Sequence, residues 1–461
     1  MLPLLWSWTR GHRRTYALGL VLLGATNALS LWIPWLLRDA IDAMERREPL
    51  STIAWIALGM IGVALGQAFV RTGSRLAFLG TSRGIVYDVR NLFFGQLQRL
   101  SASYYDRTRT GDIMSRGIND LRQLRSLFGP GLMNLANTSI IFVAVFVLLL
   151  RLDPWLTVVA LLPYPVIFIA VNRLSRRIFA RSREVQEQLS TISEHAQESF
   201  SGIQQVKTYA QEEREIATFT GMCGELRTRS LSMASIRGAM LSLIGIVAGI
   251  GTLVVIYFGG RFVIEGRMSL ADFVAFNAYL ALLVWPTIAL GWIVNVFQRG
   301  ASAVARLREI LDQDPDIPPT VDEGHDAVEP LEGDIEILNL SFSYGGEEGP
   351  AALADINLHI PQGSRVALVG PNGSGKSTLV NLLARIYPTP PGTIFIGGRD
   401  ITEVPTSRVR RSFGYVPQEP FLFSRSIREN IAFCTSDAPE DGVTRAVSLA
   451  HLGRDIEDLP D

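Results

Sequence analysis

The stretch Gly370-Pro371-Asn372-Gly373-Ser374-Gly375-Lys376-Ser377-Thr378 has the pattern Gly-x-x-x-x-Gly-Lys-Ser of a phosphate-binding loop. The chemistry explains the residue types. Gly373 and Gly375 reach backbone angles closed to other residues, so that successive N–H groups can curl around a polyphosphate. Lys376 can then meet the β and γ phosphates, and the Ser377 hydroxyl can ligate Mg2+. On either side of the loop lie the elements this mechanism needs. Arg365 to Val369 (RVALV) is short, apolar and β-branched, as expected of a buried parallel strand, and Leu379 to Ile386 (LVNLLARI) has helical spacing. A helix starting there adds the partial positive charge of its N-terminus beneath the phosphates.

Away from the loop, composition divides the chain. Of 461 residues 48% are hydrophobic, which implies an apolar part joined to a polar one. The net charge of -1 gives no general attraction for nucleic acid. Apart from Lys207 and Lys376, every Lys or Arg is arginine, so one of only two lysines sits in the phosphate loop. Lys207 is read as lying on a solvated helix face, without a role. Cys223 and Cys434 are far apart and are read as reduced, and the five histidines have no metal-binding spacing.

The apolar part comes first. After the basic cluster Arg10, His12, Arg13, Arg14, the run Thr15 to Leu37 is too long for a signal-peptide core and reads as a first membrane helix. Further runs occupy Thr52 to Val70, Leu132 to Leu150, Trp155 to Val171, Ala239 to Phe258 and Phe273 to Phe297. Each is near the ~20 residues that span a bilayer, so six spans are expected. Arginine is dense in Arg71 to Arg125 and Arg173 to Arg237 and sparse in the short connections. By the positive-inside rule these dense segments, both termini and the phosphate loop face the cytoplasm of a multi-pass cell-membrane protein. No proline occurs between Pro49 and Pro130 or between Pro165 and Pro286, so helices can run on from the lipid as long rods. Asn27, Gln67, Asn134, Asn137, Asn277 and Asn295 are expected to bond between helices, and Pro163 and Pro165 to kink the fourth span.

Asp312 to Glu332, rich in proline and acids, reads as a linker. The expected domains are 1–311, 312–333 and 334–461. In the last of these Asp334 to Phe342, Ile356 to Ile360 and Gly392 to Gly397 read as strands.

At this point the residues carry a resemblance. The chain resembles a half-transporter of the ATP-binding cassette exporters, of the bacterial multidrug type. Tyr344 in SFSYGG sits where that family stacks an aromatic on adenine. Gln418, in FGYVPQEPFLFSRSIRENIAF, matches the family's Q-loop glutamine, which contacts Mg2+ and the attacking water. Thr110 to Leu121 and Lys207 to Phe219 are similar to the two coupling helices that dock on nucleotide-binding domains. The resemblance implies a six-helix all-α transmembrane domain followed by an incomplete α/β P-loop NTPase domain. ATP and Mg2+ are then the ligands, with Lys376 and Gln418 catalytic, Tyr344 and Gly370 to Thr378 holding nucleotide, and Ser377 and Gln418 holding metal. A second half-transporter, the bilayer and a hydrophobic or amphipathic cargo are the implied partners. The family's signature motif, Walker B acids and switch histidine do not occur before Asp461, so the stretch as given is expected not to hydrolyse ATP alone. A lipid or peptide exporter, or a non-catalytic ATP-binding membrane subunit, is the alternative.

Overall fold

The computed structural model describes residues 8–317, 329–344, 349–434 and 440–457. The chain forms two compact units, Met1–Leu100 with Tyr104–Asp314, and Pro315–Asp461 with Ser101–Ser103. Half of the expected linker, 318–328, lies outside the described residues.

The first unit is helical. Its elements are α1 (Arg13–Glu45), α2 (Leu50–Arg99), α3 (Thr110–Leu152), α4 (Pro154–Leu161), α5 (Pro163–Ser201), α6 (Ile203–Thr208), α7 (Glu212–Val254), α8 (Leu270–Leu282) and α9 (Val284–Leu311). The proline-free stretches do make rods. At 50 residues, α2 is about 75 Å long at ~1.5 Å per residue.

Four helical stretches among the described residues, Arg13–Glu45, Leu50–Arg99, Thr110–Leu152 and Leu270–Leu311, are long and apolar enough to cross a membrane. The expectation of six is not met by that measure. The run from Trp155 is broken at Leu162, because Pro163 lacks the N–H needed to continue the ladder and starts a new helix. In that run and in Ala239 to Phe258, the side chains at 164, 166–168, 171, 241, 244 and 247–248 lie outside those described.

Among the described residues the expected asparagine bonds between helices are not found either. Asn134 and Asn295 instead donate to carbonyls four residues back on their own helices, Pro130 and Gly291. Short or aromatic donors reach across. Ser74 Oγ donates to the Gly19 carbonyl at 3.1 Å, Tyr16 to Phe128 at 2.7 Å, and Tyr279 to Leu31 at 3.0 Å. The reason is reach: Gly19 has no side chain to hold the helices apart, and a β-carbon there would come within 3.1 Å of the Phe78 ring.

Where α2, α3 and α9 pack, Ile85, Val89, Leu121, Leu124, Val304 and Leu307 form one buried core. A π-helical turn, Arg116–Asp120, interrupts α3 beside it. Asp120, only 5% exposed, accepts both Nε (2.9 Å) and Nη2 of Arg306 on α9, while Arg116 Nη1 donates to Glu309 at 2.7 Å. Asp120→Ala leaves the Arg306 fork without its acceptor. Since the Arg306 side chain is 46% exposed, the expected loss is about 1–2 kcal/mol, below that of a fully buried pair. Chemical denaturation in detergent checks this, and Arg306→Ala in the same background should then add little.

The second unit is built on a four-stranded antiparallel sheet of β1 (Ile335–Phe342), β2 (Leu353–Ile360), β3 (Ile394–Ile396) and β4 (Arg399–Asp400), in the order β2-β1-β3-β4. β1 pairs with β2 from Ile335↔Ile360 to Phe342↔Leu353, and with β3 from Ile335↔Ile396 to Ile337↔Ile394. A bulge in β1 between Ile337 and Leu340, where Asn339 takes φ +50°, brings both residues to the core although they are three positions apart. Helix α10 (Lys376–Leu383) buries Leu379 and Leu382 there.

Arg365 to Val369 is not a strand. It runs as exposed coil, with Val369 92% exposed. A buried parallel strand takes its hydrogen bonds from neighbours on both edges, and no described strand pairs with this run.

Candidate nucleotide site

The loop Gly370 to Thr378 enters α10 through two left-handed glycines, Gly373 at φ +82° and Gly375 at φ +87°. Gly375 is the residue that caps the helix N-terminus. It is doubly constrained, because a β-carbon there would come within 2.7 Å of the Ala352 carbonyl and 2.6 Å of the Leu353 side chain. β2 therefore fixes the floor of the turn. The Leu379 and Leu382 anchors fix its far end, and the two together hold the first N–H groups of α10 at the loop.

Lys376 closes the curl. Its ammonium donates to the carbonyls of Gly370 (2.8 Å) and Pro371 (2.9 Å) and lies 3.3 Å from Ser374 Oγ. The Ser374 side chain fills the space beside Gly370, where a β-carbon would sit 2.7 Å from its oxygen. Asn372 is exposed at the tip, as is Ser377 in the first turn.

Tyr344 is brought to the same place. Its hydroxyl is 2.9 Å from Thr378 Oγ1, and its ring, 46% exposed, meets Phe342 and Tyr387 edge-on at 5.2 and 5.0 Å. β1 leads into this residue, so Tyr344 emerges at the strand end beside the first turn of α10. Sequence reading did not anticipate Tyr387, whose ring holds that of Tyr344 from 43 positions away. Nothing in its local pattern signals this, because the contact is tertiary.

Gln418 occupies an exposed bend, and among the described residues its amide makes no hydrogen bond. The run before it is extended coil rather than strand, with Val416 91% exposed. It is tied to the loop helix by one link that spacing did not reveal, Tyr415 Oη donating to Asn381 Oδ1 on α10 at 2.9 Å. Beyond it Asn430 pins the following turn, exchanging bonds with Phe423 in both directions (2.8 and 3.0 Å). A Ser426/Glu429 capping box starts the helix Ile427–Ile431 that carries Asn430.

Two arginines brace the far end of α10. Burial pushes both Arg385 and Arg410 below the usual guanidinium range. Arg385 Nη1 donates to the carbonyls of Ile401 and Val404, each at 2.8 Å, and Arg410 Nη2 to that of Arg385 at 2.8 Å. Arg410 thus satisfies a carbonyl just past the C-terminus of α10, and Arg385 ties that end to the turn at 401–404.

Comparison with known proteins agrees with this geometry. The family described as ABC transporter transmembrane region matches residues 16–287, and the family described as ABC transporter matches residues 353–459. A probable multidrug resistance ABC transporter ATP-binding/permease protein, YheI of Bacillus subtilis, is 30% identical over 447 residues, covering 96% of this chain and 76% of that protein. The multidrug resistance-like ATP-binding protein MdlA of Escherichia coli is 29% identical, with 99% and 76% covered. A putative multidrug export ATP-binding/permease protein of Staphylococcus aureus is 31% identical, with 97% and 77% covered. A helical membrane unit and a unit carrying a lysine-closed glycine loop thus follow one another on one polypeptide, and the chain belongs to the ATP-binding cassette transporters.

Proposed function

We propose that this chain is one half of a dimeric exporter that uses ATP to move hydrophobic or amphipathic compounds out of the cell. The observation carrying this reading is the turn at Gly373 and Gly375, whose left-handed backbone leads into the N-terminus of α10 with Lys376 alongside. The names of the relatives, multidrug resistance and multidrug export, support the cargo class.

In this reading residues 1–311 form the membrane domain, 312–333 a linker and 334–461 the first part of the nucleotide-binding domain. Six helices cross the bilayer, with both termini in the cytoplasm. Main-chain N–H groups from Gly370 to Thr378 bind the phosphates and the Lys376 ammonium neutralises their charge. Mg2+, when bound, offsets charge between the β and γ phosphates. Ser377 and Gln418 are its candidate ligands, both exposed side chains with oxygens to offer. Tyr344 offers adenine the free part of its ring. The segments Thr110 to Leu121 and Lys207 to Phe219 transmit nucleotide-driven movement to the helices. The first lies on the α3 stretch held by the Asp120–Arg306 pair, and the second turns sharply between α6 and α7 at Ala210, φ +49°.

Uptake of a lipophilic dye into inverted vesicles that carry the intact dimeric transporter tests the proposal. Dye should accumulate with ATP and Mg2+ and fail to do so when Mg2+ is chelated. Uptake that follows an imposed proton gradient and ignores ATP would overturn it. Tyr344→Ala should weaken ATP binding by roughly 10-fold, about the ~1–2 kcal/mol of one aromatic stack, whereas Tyr344→Phe keeps the ring and should stay within threefold. Titration with a fluorescent ATP analogue measures both.

A further inference from the structure

Two arginines on α2 sit at the depth of an apolar stretch. α1 and α2 run antiparallel, and their register is fixed by Ser74 bonding to Gly19 and by the close approach of Gly73 to Leu22. Arg71 and Arg75 flank that level. Gly19 and Leu22 lie four and seven residues inside the uncharged run that starts at Thr15, or roughly 6 and 10 Å at ~1.5 Å per residue. α2 agrees with this depth, since Leu76 to Ser82 below the arginines is again uncharged. Arginine density alone assigned Arg71 and Arg75 to the cytoplasm, whereas the helix register sets them level with the first residues of the apolar run in α1.

Their direction is also fixed. Arg71, Arg75, Phe78, Ser82, Ile85 and Val89 recur at spacings of four and three residues and share one face of α2. Lower on that face Ser82 packs on Gly129 of α3, and Ile85 and Val89 pack in the core shared with α3 and α9. The same face therefore looks into the bundle. Both arginine side chains are exposed there, and neither has a hydrogen bond or ion pair among the described residues.

No carboxylate is available to them at this depth. The runs Thr15 to Leu37, Thr52 to Val70, Leu132 to Leu150, Trp155 to Val171, Ala239 to Phe258 and Phe273 to Phe297 contain no Asp or Glu, so a second copy of the chain would bring none either. Asp88, the first acid after them on α2, faces His12 at 3.1 Å. An unpaired guanidinium in the apolar layer is costly, and such residues mark binding sites or pathways.

We infer that Arg71 and Arg75 form a cationic subsite for the anionic headgroup of amphipathic cargo, a carboxylate, sulfonate or phosphate joined to an apolar body. This rests on the proposed export of amphipathic compounds. The guanidinium forks take the headgroup bidentately, and the surrounding apolar helices take the rest of the molecule.

The test is a pair of probes with the same apolar body, pyrenebutanoate and pyrenebutyl-trimethylammonium, titrated onto the purified transporter without nucleotide. Wild type should bind the anion at least ~10-fold more tightly than the cation, and Arg71→Gln/Arg75→Gln should remove that preference. Arg71→Lys/Arg75→Lys, which keeps the charge, should retain most of it. Equal losses for both probes, or an unchanged ratio, would overturn the inference. The titration is repeated in nanodiscs of phosphatidylcholine alone and with phosphatidylglycerol. A preference that survives in the neutral discs assigns the arginines to cargo, whereas loss of tightly held phosphatidylglycerol in the Gln variant with no change in probe ratio assigns them to lipid and overturns it. Because no nucleotide is present, failure here is distinct from failure of ATP-driven export.

Discussion

Valine at Gly375 should abolish nucleotide binding, with ATP affinity falling ~100-fold or more, equivalent to about 3 kcal/mol. Two independent costs add at this position. A β-branched residue does not tolerate φ +87°, and its β-carbon would press against the Ala352 carbonyl at 2.7 Å, in a residue held at the entry to β2 by its N–H bond to the Phe342 carbonyl. Gly373→Ala separates these costs. It has a similar φ, +82°, but nothing lies within 4 Å of the added carbon. Strain alone should cost about 1 kcal/mol there, or roughly fivefold in affinity. Fluorescent-nucleotide titration reads both, and thermal melting of each variant shows whether the second unit stays folded. Equal effects at the two glycines would mean that β2 does not set the loop.

Lys376→Ala is expected to reduce ATP-driven dye uptake by roughly 10^3-fold, the scale of losing a preorganised charge that faces the transferred phosphate. The loop also loses its closure, because the ammonium holds the Gly370 and Pro371 carbonyls at 2.8 and 2.9 Å. Arginine is not a substitute, since its planar fork cannot point one compact charge at two carbonyls and a phosphate together. Lys376→Arg should therefore recover less than a tenth of uptake. ATP-dependent uptake at the wild-type rate in either variant would remove Lys376 from the mechanism.

The phosphate loop was legible in the sequence because its chemistry is local. Positive φ at Gly373 and Gly375 and the helix after Lys376 follow from residue types at fixed spacing. β1 was also legible as a strand from the apolar spacing along Asp334 to Phe342, but the bulge between Ile337 and Leu340 was not, because it depends on the pairing with β2. Arg365 to Val369 was not, because apolar β-branched character gives a capacity for strand and pairing depends on neighbours elsewhere in the chain. Asparagine in an apolar helix likewise announces a hydrogen bond and leaves its partner open. Asn134 and Asn295 found partners on their own helices. Arg71 and Arg75 show the reverse case. Density suggested a cytoplasmic segment, and the contact of Ser74 with Gly19 is what sets them level with the start of the apolar run in α1.

The central claim is that nucleotide held at Gly370 to Thr378 acts on the membrane helices. Hydrogen exchange on the reconstituted transporter, with and without ATP and Mg2+, tests it most directly. The account predicts slowed exchange around Gly370 to Thr378 together with altered exchange in the α6–α7 turn at 202–211 and in α3 near Arg116–Asp120, all of it lost in Lys376→Ala. Protection confined to residues 340–430, with the membrane unit unchanged, would contradict it.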